Sequence, residues 1–126
     1  MSWRDAPLYI HATDLAQWCV QRASGWSGPL GDRLGRDLHA AALELVDQVA
    51  LALTFPSDRA AHLAAADATV VRLRERLRLA QCVGLLSADQ HRFACERLAE
   101  AGRMIGGWRK RLDRRAREPP GARAPQ

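Results

Sequence analysis

The stretch LAAADATVVRLRERLRLA, Leu63 to Ala80, decides the fold. Leu63, Ala66, Val70, Leu73, Leu77 and Ala80 recur at alternating steps of three and four. An α-helix turns once in about 3.6 residues, so this rhythm lays one apolar stripe along one helix face. The pattern predicts a helix from about Arg59 to Val83. Gly84 is placed to close it, and Ser57 or Asp58 to cap its start.

The same rhythm recurs on both sides. Upstream, Leu34, Leu38, Ala41, Leu45, Val49 and Ala52 predict a helix from about Leu30 to Leu53, widened by Val46 and Leu53 and ended by Pro56. Further upstream, Leu8, Ala12, Leu15, Cys19 and Arg22, with Trp18 beside them, predict a helix from Pro7 to Ser24. The segment SGWSGP, Ser24 to Pro29, separates these two. Downstream, Ser87 and Gln90 have the spacing of a capping box. Ala94, Leu98, Ala101, Ile105, Trp108 and Leu112 then carry the fourth stripe.

No alternating apolar pattern is long enough for a strand. Four helices with short connections read as an all-α, antiparallel four-helix bundle over residues 1–112. Residues 113–126 read as a basic, proline-rich tail, expected to be disordered.

The chain has 126 residues, which suits a single domain, and a net charge of +5. Charge placement matters more than its sum. From Arg103 onward there are eight basic and two acidic residues, net +6, so the first 102 residues carry −1. A near-neutral body with a cationic end suits polyanions. No apolar run approaches a membrane span. The N-terminal residues lack the basic-then-apolar order of a secretion signal, so a cytoplasmic location is expected. Cys19, Cys82 and Cys95 are odd in number and form no CxxC pair, which reads as buried free thiols.

Chemistry-bearing constellations are sparse. His11, His39, His62 and His91 fall one to a helix. None has an acid three residues before it, so the Glu-x-x-His pairs of carboxylate-bridged metal bundles are missing. A cysteine–histidine nucleophile would have to be assembled from separate helices, with no loop to supply an oxyanion hole. GDRLG lacks the spacing of a phosphate loop. No enzyme activity, cofactor, catalytic residue or metal is therefore expected.

Two features stand out instead. Gly102 and Gly106 are four apart and share a helix face, with Gly107 and Trp108 following. A face stripped of side chains lets another backbone approach, either within the bundle or from a second subunit. Around them lie arginines. Arg74 and Arg78 form one ridge beside Leu73 and Leu77, and Arg72 and Arg76 form a second. Arg109, Lys110 and Arg111 follow Trp108. Guanidinium forks match phosphate oxygens two at a time, so these residues are candidates for binding nucleic acid.

Together, GRMIGGWRK (Gly102 to Lys110), LRERLRLA (Leu73 to Ala80), LLSADQH (Leu85 to His91) and PLGDRL (Pro29 to Leu34) resemble the accessory variability determinant of diversity-generating retroelements. That family is related to four-helix proteins encoded in intervening sequences of bacterial 23S ribosomal RNA. The resemblance runs from Leu8 to Leu112.

It implies a non-enzymatic four-helix bundle assembled as a pentameric barrel. It further implies binding to the element's reverse transcriptase and to template RNA and cDNA, with a requirement in error-prone cDNA synthesis during mutagenic retrohoming. Arg74 and Arg78 fall on the basic positions of the family's third-helix motif. Arg103 lies within the signature, in packing or an intersubunit ion pair. Five such chains would carry about +25. The alternatives are an intervening-sequence-type structural or ribosome-associated bundle with no polymerase partner, and a helical toxin–antitoxin or regulatory dimer.

Overall fold

The computed structural model describes residues 2–119 and residue 121. Four helices carry the chain: α1 Pro7–Ala23, α2 Gly28–Thr54, α3 Arg59–Cys82 and α4 Ala88–Arg117. One-turn 3₁₀ helices, Trp3–Asp5 and Pro56–Asp58, precede α1 and α3. No strand is present among the described residues. The connections are too short for anything but reversal, so successive helices run antiparallel. Neighbours in sequence pack as neighbours in space, α1 against α4 closes the ring more loosely, and the backbones of the diagonal pairs stay farther apart, meeting only through side chains in the core.

The stripes become the core. All six seam residues of α2 and all six of α3 are buried, as are Ala94, Leu98, Ala101 and Ile105 of α4. Trp108 and Leu112 pack against the core while staying partly exposed. One seam residue of α1 differs from expectation: Arg22 is exposed, and Ala16 and Ala23 are buried instead. Its guanidinium lies 5.2 Å from the Trp18 ring centroid, so the long side chain leaves the core along an aromatic face.

Helix ends follow local chemistry. Ser87 and Gln90 form the reciprocal capping box at 3.1 and 3.0 Å, worth about 1 kcal/mol. Gly84 takes φ 85° beyond the end of α3. There the Leu85 N–H donates to Ala80 at 2.8 Å and the Gly84 N–H to Gln81 at 3.1 Å. These are the two bonds of a Schellman closure. Asp58 precedes α3 but makes no side-chain cap. Arg59 secures that corner instead. Its Nε donates to the Ala52 carbonyl at 2.7 Å, and its guanidinium lies 5.0 Å from the Trp108 ring centroid. One side chain thus ties the end of α2, the start of α3 and the last turns of α4.

α4 continues to Arg117, five residues past the boundary read at Leu112. Residues 113–117 are exposed, so they lengthen the helix without enlarging the core. Of the tail, residues 120 and 122–126 lie outside the described residues.

Candidate functional site

The two arginine ridges of α3 lie on opposite flanks. Arg72 faces α2, where it meets Glu44 at 3.1 Å and donates to the Thr69 hydroxyl at 2.8 Å. Gln48 donates to the same Glu44 at 3.1 Å. Arg72 therefore belongs to a polar network bolting α2 to α3. Arg76, one turn on, lines the same α2–α3 cleft beside Asp37 and Ala40. Arg74 lies on the α4 flank, close enough to Cys95 for its charge to act on that thiol. Arg78 stays exposed and reaches Glu75 at 3.8 Å.

The cations after Trp108 divide similarly. Arg109 crosses to α3 and meets Asp67 at 2.5 Å. Lys110 and Arg111 line a shallow hollow with Asp113, Arg114 and Arg117, beside Gly107. Arg78 lies eleven residues beyond Asp67 on α3, about 16 Å along the helix. The structure therefore places the basic residues in three places, the two flanks of α3 and the projecting end of α4. Among the described residues, Arg74, Arg76, Lys110 and Arg111 have no ion pair. Their charge is offered to solvent rather than neutralised within the chain.

The glycines of α4 are bare. A Cβ built on Gly102 or on Gly106 would meet no atom within 4 Å, and one on Gly107 only the Arg111 guanidinium at 3.6 Å. Close packing within the bundle is thus not what these glycines serve. Arg103, in the same segment, pairs with Glu100 at 2.6 Å within its own helix. Close approach occurs instead at the two glycines of GDRLG, whose spacing signals no packing role in the sequence. A Cβ on Gly31 would lie 3.2 Å from the Trp26 carbonyl carbon, and one on Gly35 3.2 Å from the Ala23 carbonyl oxygen.

The thiols differ from expectation. Only Cys19 is buried; Cys95 is half-buried and Cys82 exposed. Burial pushes the Cys19 thiol up to about 12. Cys95 Sγ lies 3.3 Å from His91 Nε2, a cysteine–histidine pair one turn apart on a single helix. Partial burial raises the Cys95 thiol, against an opposing pull from Arg74. A protonated thiol in mid-helix, where neighbouring N–H groups are held by the helix itself, is poorly equipped as a nucleophile.

Of the histidines, His11 donates from Nε2 to the Arg97 carbonyl at 2.8 Å, joining α1 to α4. Among the described residues no three His, Cys, Asp or Glu side chains are grouped so as to hold a metal ion. No single helix is long and apolar enough to cross a membrane. α2 and α3 reach that length and composition only as a pair bent by 118°, and their apolar stripes are buried in the core.

Fold and charge together define an all-helical bundle with a cationic flank and a cationic helix end. Family models, curated proteins and solved structures yield no match to this chain.

Proposed function

We propose that this chain is a non-enzymatic accessory factor of a diversity-generating retroelement. In this reading it binds the element's reverse transcriptase and template RNA during error-prone cDNA synthesis. It assembles as a homopentamer, with the bare face around Gly102 and Gly106 turned to a neighbouring subunit. The observation that carries the reading is the set of unpaired cations, Arg74, Arg76, Lys110 and Arg111. Repeated around a ring, they would present several phosphate sites to one RNA, and weak contacts would add through linkage. The sequence resemblance supplies the polymerase partner and the pentamer.

Co-expression with a reverse transcriptase encoded beside this chain tests the reading. The two should elute together at moderate salt and support cDNA synthesis from the template RNA. Arg74→Ala with Arg78→Ala should abolish cDNA while leaving helicity and melting unchanged. Full cDNA yield from that folded double variant would overturn the assignment of the α3 ridge. Failure of the two proteins to associate would overturn the accessory role.

A further inference from the structure

A cleft of about 400 Å³ opens where the start of α1, the end of α2 and the last turns of α4 meet. Leu8, Leu53, Met104 and Trp108 form its apolar wall. Arg59 steadies the wall by covering Trp108. Arg103 and Arg111 are the two charged lining residues, and no acid lines the cleft. Arg103 is already paired with Glu100, whereas Arg111 has no ion pair among the described residues.

The lining is one-sided in its chemistry. None of its side chains carries an oxygen or a ring nitrogen able to accept a hydrogen bond. A nucleobase entering it would strip water from its N–H groups and find no acceptor side chain in exchange, which is unfavourable. A large apolar side chain has no such groups, and a neighbouring carboxylate would meet Arg111 in forked geometry. The volume is in the range of pockets that enclose a compact ligand group.

We infer that this cleft docks a short acidic segment of a partner protein by one large apolar side chain, with a flanking carboxylate on Arg111. The inference stands on the cleft alone and does not require the nucleic-acid reading.

Fluorescence polarisation of the full chain with a labelled EDFDE peptide tests it, with EDADE and KKFKK as controls. EDFDE should bind, and EDADE more weakly by roughly tenfold or more, the scale set by burying one large apolar side chain. KKFKK should not bind. Gly107→Leu should remove EDFDE binding while keeping the fold. It improves helix propensity, and its Cβ meets only the movable Arg111 guanidinium at 3.6 Å. Arg111→Gln should weaken EDFDE and flatten its salt dependence. Equal binding of EDFDE and EDADE, or unchanged binding in Gly107→Leu, would overturn the inference by moving the contact elsewhere. A short oligouridine that displaces EDFDE from the wild type and loses its own affinity in Gly107→Leu would overturn it too, making the cleft a nucleotide site.

Discussion

Gly31 and Gly35 of α2 and Gly102 and Gly106 of α4 share one spacing, yet their surroundings are opposite. The α2 pair lies under the turn that follows α1, where backbone approaches within 3.2 Å of each missing Cβ. The α4 pair has nothing within 4 Å. Each glycine loosens its helix by about 1 kcal/mol relative to alanine. In α2 that loss has an internal return, because Ala23 at the end of α1 and Trp26 in the turn after it pack where side chains would stand. In α4 it has none within the chain. A stripped face without an internal neighbour is one that a second molecule can use, whereas a stripped face that is already filled belongs to the fold.

The largest effect should come from filling the α2 contact. Gly35→Leu would press its Cβ on the Ala23 carbonyl oxygen and the rest of its side chain on the Trp26 ring, 3.8 Å from that Cβ. Overpacking of this kind destabilises by about 1–3 kcal/mol, several degrees of melting temperature for a chain of this size. Thermal denaturation followed by circular dichroism reads it directly. An unchanged melting temperature would mean the turn yields freely and the contrast is false.

The α4 pair should move the opposite way. Gly102→Ala with Gly106→Ala should stabilise the isolated chain by about 2 kcal/mol through helix propensity alone. In urea titrations at low protein concentration the midpoint should rise. On the proposed pentameric reading, light scattering at high concentration should show a smaller assembly than the wild type. A fall in the urea midpoint would reveal an internal contact. A rise with unchanged mass would remove the glycine face from the proposed subunit interface.

The sequence carried the stripes, the Ser87 cap and the Gly84 closure because each depends on residues within one or two turns of the same helix. The glycine contrast was not legible for the converse reason. Spacing puts Gly102 and Gly106 on one face, but what stands opposite depends on the register between helices. The same holds for the cations. Arg72 and Arg74 are two residues apart, yet one is bound into the Glu44 network and the other faces Cys95. Arg59 bonds a carbonyl seven residues back and covers a ring on α4, a role that its place at the start of α3 does not signal. His91 and Cys95, by contrast, stand at i and i+4 and were within reach of a helical-wheel argument.

Cys19 sharpens the comparison at the tight side of the molecule. It lies one turn before Ala23 on α1 and is fully buried. Its thiol is raised from 9.0 to about 12 in the fold. The protonated form is the one the fold favours. The associated stability is present below pH 9 and is lost as pH climbs from 9 toward 12. The loss approaches about 1.4 kcal/mol per pH unit in that window. Urea midpoints of wild type and Cys19→Ala should therefore converge as pH rises from 8 to 10. Parallel curves would show that burial does not raise this thiol. Thiol labelling at neutral pH should rank Cys82 before Cys95, with Cys19 unreactive until the chain unfolds.

The smallest effect bears on the open side, at the edge of the glycine face. Arg109 follows Gly102 and Gly106 at the next helical steps, and its link to Asp67 fixes this part of α4 to α3. Both partners are partly exposed, with side-chain exposures of 44% and 31%. Solvent screening keeps such pairs to about 0.2–1 kcal/mol. A double-mutant cycle with Arg109→Ala and Asp67→Ala should return a coupling in that range. Its functional consequence should exceed its structural one. Asp67→Asn would release Arg109 to join the unpaired cations, so on the proposed nucleic-acid reading RNA affinity should rise while stability falls slightly. The slope of log affinity against log salt should steepen by about one unit if the freed guanidinium reaches a phosphate. An unchanged slope with the expected small loss of stability would make Arg109 a clamp on α4 alone, with no part in the proposed RNA contact.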